Sequence, residues 1–173
     1  MFSNRARIIV LGLFALMFAF FVYQRVYQLA AFCGLMIVMI IIEYFRQGTL
    51  VLAAKYFHLK DYDKTEALLK QIKKPELLAK RRRGFYEYMM GGICLQKHDF
   101  DAAERHYELA TQYPLRTVND HVAALVHVAN ISIRQGKYDK AEAYLQLALK
   151  DREKITAKML AVIDKLKQEL RKH

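Results

Sequence analysis

Six histidines, two cysteines and one run of four cations are the residues whose types could carry chemistry in this chain. His58, His98, His106, His121, His127 and His173 share no spacing that would bring imidazoles together on one metal. His58 and His98 fall near expected turns, and surface or packing roles are the expectation for all six. Cys33 lies in an apolar stretch and Cys94 in an expected helix. Neither belongs to a C-x-x-C pair, so both read as small buried thiols in a reducing compartment. No Gly-rich phosphate loop, H-E-x-x-H or G-x-S-x-G occurs, and Gly91-Gly92 sits where close helix packing explains it. Asn130-Ile131-Ser132 is a formal glycosylation sequon inside an expected helix and is read as incidental. The expectation is no catalytic residue, no cofactor and no metal site: the chain is not read as an enzyme.

The sharpest charge feature is Lys80-Arg81-Arg82-Arg83, with Lys73 and Lys74 upstream. The plain reading is a solvated helix start. The alternative is a basic face for anionic lipid or nucleic acid, with contact to anionic headgroups ahead of nucleic acid. Nucleic acid is disfavoured because the run lacks interleaved aromatic residues, although Phe85, Tyr86 and Tyr88 follow closely. Of the 28 Lys and Arg, 25 lie from Arg46 onward with 16 of the 17 acids, a net charge of +9 there. That sign favours an anionic neighbour and says nothing of fold.

The elements that must position these residues fall into two regimes. Residues 8–42 are almost wholly apolar, interrupted at Tyr23-Gln24-Arg25-Val26-Tyr27-Gln28. One helix through both runs would be roughly 50 Å long at 1.5 Å per residue, beyond a ~30 Å hydrocarbon layer, with Arg25 near its middle. The expectation is therefore a two-span transmembrane hairpin, with Tyr23 and Tyr27 at headgroup depth. A cleaved signal peptide is the lesser reading, because Tyr23-Gln24-Arg25 follows the apolar core where small residues are needed. A lipoprotein box at Cys33 fails on Phe32. Arg5 and Arg7 flank one end, and Arg46, Lys55 and Lys60 the other. This predicts an integral protein of a bacterial-type inner membrane, N-in and C-in, with the rest cytoplasmic.

Downstream, one phrase recurs: Tyr62-Asp63-Lys64-Thr65-Glu66, Phe100-Asp101-Ala102-Ala103-Glu104 and Tyr138-Asp139-Lys140-Ala141-Glu142, 38 residues apart both times. A fixed period of this size marks a stacked helical repeat. The acids suit a helix's first turn, so each phrase opens the second helix of a pair. First helices are expected over 47–58, 84–96 and 122–134, with turns at 59–61, 97–99 and 135–137. Residues 151–173 read as an amphipathic capping helix with Ile155, Met159, Ile163, Leu166 and Leu170 on one face.

From about 46 to 151 the chain resembles three tetratricopeptide repeats (TPR). The residues that carry the resemblance are Ala53, Gly91 and Ala129 in first helices. In second helices they are Tyr62, Phe100 and Tyr138, then Ala103 and Ala141, then Leu69, Tyr107 and Leu145, then Ala110 and Ala148. Pro114 closes the second unit. The chain departs from the pattern in its period (38 against about 34). It departs also in Thr65 for Ala, and in Thr49, Glu87 and Leu125 where an aromatic is expected.

The implied fold is all-α: an N-terminal hairpin over 1–45, three helix–turn–helix repeats over 46–150 forming an α-solenoid, and a cap over 151–173. The resemblance implies a membrane-anchored scaffold or adaptor that binds a protein or peptide in a concave groove. It places the groove-facing positions on Leu50, Ala54, Phe57, Phe85, Tyr88, Leu95, Val126, Asn130, Ile133 and Arg134, with Arg134 available to a partner carboxylate. Chaperone-tail docking is disfavoured, because only Asn130 matches its carboxylate-clamping pattern.

Overall fold

The computed structural model describes residues 4–150 and 152–172, and the backbone alone for 4–9, 11 and 40–47. Among the described residues every regular element is helical, and the chain divides into two units, Met1–Thr49 and Leu50–His173.

The first unit holds α1 (Asn4–Tyr23) and the start of α2 (Tyr27–His58). Arg25 takes a left-handed φ of 57° between them, and the N–H of Val26 reaches back to the carbonyl of Phe21 at 3.0 Å. This is the wrapped-back end that terminates helices through a left-handed residue. Ala30 and Cys33 are buried, while Leu13, Leu16, Phe20, Phe32 and Leu35 are exposed.

Among the described residues, no helix is long and apolar enough to cross a membrane. This overturns the two-span transmembrane hairpin, the integral-membrane partner and the N-in/C-in inner-membrane localisation expected above. Of the cations on which the orientation rested, Arg5, Arg7 and Arg46 lie outside the described side chains.

In the second unit the repeated phrase opens a helix each time: α3 (Tyr62–Lys70), α5 (Phe100–Thr111) and α7 (Tyr138–Leu149). Asp61 and Asp99 cap the first two, each accepting from the backbone N–H three residues on. Each is preceded by a longer helix: the end of α2, then α4 (Lys80–Gln96), then α6 (Val118–Arg134). The last two start four residues before the expected positions. In α6 the cause is a capping box, in which Thr117 and Asp120 satisfy each other's backbone N–H groups. In α4 the chain is extended at Ala79, just after buried Leu78, and the helix can begin at once.

The turns repeat with the phrase. Lys60, His98 and Gly136 have φ of 60°, 61° and 72°, two residues before each phrase. In all three turns the next N–H reaches back five residues: Asp61 to Tyr56, Asp99 to Cys94, Lys137 to Ser132. Only Gly136 adopts this backbone without a Cβ penalty.

Neighbouring helices pack in chain order, α4 on α5, α5 on α6 and α6 on α7, with α8 (Ala157–Leu170) against both α6 and α7. The small and large residues of the repeat pattern all sit where the pattern needs them. Ala53, Ala103, Ala110, Ala129, Ala141 and Ala148 are fully buried, with Leu69, Tyr107 and Leu145 in the seams between helices. Thr65, which replaces an expected Ala, is also fully buried. Its hydroxyl donates to the carbonyl of Asp61 at 2.7 Å, so the extra polar atom is satisfied. The capping helix starts later than expected because Ile155 is buried and Thr156 extended, which holds the chain off helix until Ala157. Ile163 and Leu166 bury against the α6–α7 pair.

Candidate functional site

The first helices bring one aromatic run together. Phe57 on α2 meets the edge of Tyr88 on α4 at 6.2 Å between centroids. Tyr88 in turn meets Tyr107 on α5 at 5.5 Å and His127 on α6 at 6.1 Å. Tyr107 and His127 stack at 4.5 Å. Glycines set these distances: a Cβ on Gly91 would stand 3.0 Å from the Tyr107 ring, and one on Gly92 2.7 Å from the Phe57 ring. The Gly91-Gly92 pair is therefore a packing device. Burial pushes the phenols of Tyr88 and Tyr107 upward, and lowers His127 from 6.5 to about 4, so its ring is neutral near pH 7.

The structure divides the positions assigned to the groove. Phe57, Phe85, Tyr88, Leu95 and Asn130 are half-buried, so part of each still meets solvent. Leu50, Val126 and Ile133 are buried in the core. Leu50 packs in the cluster with Met89 and Ile93, while Val126 and Ile133 share a cluster with Ile163 and Leu166 of the cap. These three are seam residues rather than lining. Arg134 is exposed, with its guanidinium 5.8 Å from the Phe100 ring centroid of the preceding unit. His127 and Tyr107 complete the aromatic run. His127 was passed over because nothing in its local sequence distinguishes it from a surface histidine.

The four-residue basic run also divides. Lys80 and Arg81 are exposed and Arg82 is half-buried. Arg83 turns inward, with its side chain 17% exposed, and pairs at 2.5 Å with Glu87, whose side chain is 1% exposed. The second oxygen of Glu87 lies 2.6 Å from His106 Nδ1 on α5. Glu87 thus fills the place of the expected aromatic with a carboxylate partnered at both oxygens, and Arg83 is turned away from the basic face.

A second polar feature joins successive units through the Glu of the repeated phrase. Glu66 pairs with Lys97 at 2.5 Å, in the turn of the next unit, and with Lys70 at 3.0 Å. Glu104 is buried and accepts from Ser132 Oγ at 3.0 Å, Lys137 at 2.8 Å and Lys140 at 2.8 Å. Lys140 also reaches Glu108 at 2.7 Å. The hydrogen bonds from Lys97 and Lys70 hold the Glu66 carboxyl below its ordinary value. Burial alone would raise Glu104, but Lys137, Lys140 and Ser132 together outweigh it and its pKa is also lowered. The recurrence of Glu at the fifth place of the phrase, with a Lys in the turn that follows, was the available signal.

Among the described residues, no group of three or more His, Cys, Asp or Glu is placed to hold a metal ion. Burial raises the pKa of Cys94, which keeps it a thiol at neutral pH.

Comparison with known proteins agrees with this architecture. No curated protein and no solved structure matches the chain. The family described as the SusR N-terminal TPR domain matches residues 36–162, well over half of the sequence. The chain belongs to the SusR N-terminal TPR domain family.

Proposed function

We propose that the chain is a protein-interaction adaptor, with residues 46–150 as three repeats that take a partner segment along their first helices and 151–173 as their cap. Membership of a TPR family supports a protein-binding role. The observation that carries the site is the half-buried aromatic run of Phe57, Tyr88 and His127 across three consecutive first helices. Rings held in place by glycines and by one another present apolar area with little side-chain entropy left to lose. Such area suits a helix or extended peptide. Phe85, Leu95 and Asn130 lie on the same helices and extend the surface, while Leu50, Val126 and Ile133 support it from within. The function requires no turnover.

The test is site-specific photocrosslinking from position 88, with position 165 on α8 as control, followed by identification of what is caught. One partner crosslinked from 88, absent from 165 and lost in a Tyr88→Ala chain of unchanged helicity, supports the reading. Equal capture from both positions overturns it.

A further inference from the structure

The cationic start of α4 runs against the local physics of its own helix. A helix N-terminus carries partial positive charge, so acids stabilise it and cations oppose it. The helices α3, α5, α6 and α7 obey, with Asp63, Asp101, Asp120 and Asp139 in their first turns, while α8 has no acid there and the single cation Lys158. The first turn of α4 holds Lys80, Arg81, Arg82 and Arg83, with no acid and no side-chain cap at Ala79. The loop before it adds Lys73 and Lys74, both exposed. Glu76, the one acid between residues 67 and 86, lies 4.0 Å from Arg83. Elsewhere in the repeats four acids are committed to internal cations: Asp61 to Lys64, Glu66 to Lys97, Glu104 to Lys137, Glu108 to Lys140. Positive charge is left over, and at the start of α4 it is concentrated where folding alone disfavours it. Local conflict of this kind marks positions kept for something other than stability.

We propose that the partner segment is acidic, and that its carboxylates dock on Lys80, Arg81 and the lysines of the preceding loop. This rests on the reading of the repeats as a protein-binding body, and adds the partner's chemistry to it. An acidic polypeptide is favoured over nucleic acid because no aromatic residue interleaves the cations between Lys73 and Arg83. Tyr86, the ring beside Arg83, lies under its guanidinium at 5.8 Å. It is favoured over a lipid surface because Phe85 and Tyr88 follow on the same helix, within about two turns of Arg81 at 3.6 residues per turn. A single extended chain can touch cations and rings together.

The experiment uses the full chain and a fluorescein-labelled octaglutamate peptide as probe, with single-stranded oligothymidylate and phosphatidylserine vesicles as competing polyanions. The variants are K80E/R81E and, as a control of equal charge change, K158E/K165E on α8. The expected result is salt-sensitive octaglutamate binding that K80E/R81E weakens about tenfold or more and the α8 control leaves within about twofold. The thermal midpoint of K80E/R81E should rise, because acids now sit at the positive end of α4. A stability gain with unchanged octaglutamate binding overturns the proposal. So does equal weakening by the α8 control, absence of octaglutamate binding, or loss of vesicle or oligothymidylate binding alone. Loss of specific crosslinking at position 88 with the octaglutamate response intact would sink the adaptor site and leave this inference standing.

Discussion

The imidazole of His127 lies nearly flat on the phenol ring of Tyr107, with centroids 4.5 Å apart and planes inclined by 14°. One ring belongs to the second helix of the middle repeat and the other to the first helix of the last. The stack is therefore a joint between units, and protonation of His127 acts on it directly. Because the folded pKa is about 4 against an ordinary 6.5, the unfolded chain binds the extra proton first. Stability is fully present above pH 6.5 and declines as pH falls towards 4. At ~1.4 kcal/mol per unit the loss is about 3 kcal/mol at most. Imidazole NMR titration should find His127 neutral down to about pH 4, and denaturant melts of His127→Phe should lack this part of the pH dependence.

Two glycine substitutions of identical chemistry should have opposite signs. Gly92→Ala drives a methyl to 2.7 Å from the Phe57 ring and should destabilise by about 1–3 kcal/mol. Gly48, on α2, has nothing within 4 Å of an added Cβ. Gly48→Ala should stabilise by about 0.5–1 kcal/mol through helix propensity. Urea melts of both variants check the pair, and Phe57→Leu in the Gly92→Ala background should recover part of the loss.

The two inter-unit carboxylates differ in burial and should differ in worth. Glu104→Ala removes the acceptor of Ser132, Lys137 and Lys140 from a buried position and should cost about 2–3 kcal/mol. Glu66→Ala breaks a bridge to Lys97, whose side chain is 51% exposed, and should cost no more than ~1 kcal/mol. Both folded pKa values lie below the ordinary 4.5. Their contribution is present above that value and is lost as pH falls below it through the folded values. Acid unfolding followed by circular dichroism should begin at higher pH in Glu104→Ala than in Glu66→Ala.

Lys60 and His98 hold left-handed backbone that Gly136 holds in the last repeat. Lys60→Gly and His98→Gly should each stabilise by up to ~1 kcal/mol, with Gly136→Ala destabilising by a similar amount, measured by thermal melts.

The repeat was legible because its signals are local. An acid capping a first turn and an alanine at a helix crossing depend on residues a few places away, and the 38-residue spacing exposed them. The positions assigned to a groove were less legible. Leu50, Val126 and Ile133 have the same apolar character and helical spacing as Phe57 and Tyr88. Which of them lines a surface and which fills a seam is decided by partners far along the chain, such as Ile163 and Leu166. Glu87 was unreadable for the same reason: without Arg83 and His106 around it, an acid at a core position looks like a defect. The N-terminal apolar stretch reads as two membrane spans from hydropathy alone, whereas among the described residues no helix is long and apolar enough to cross a membrane.

The three hairpins of the second unit close in one shape, each with its left-handed residue two places before the phrase. Such a chain can lengthen by copying itself. Duplicating residues 100–137 would give the added copy of Glu104 its own turn lysine in the same pairing as before, whereas an insert that is not a whole number of 38-residue periods would leave one of those carboxylates facing a stranger.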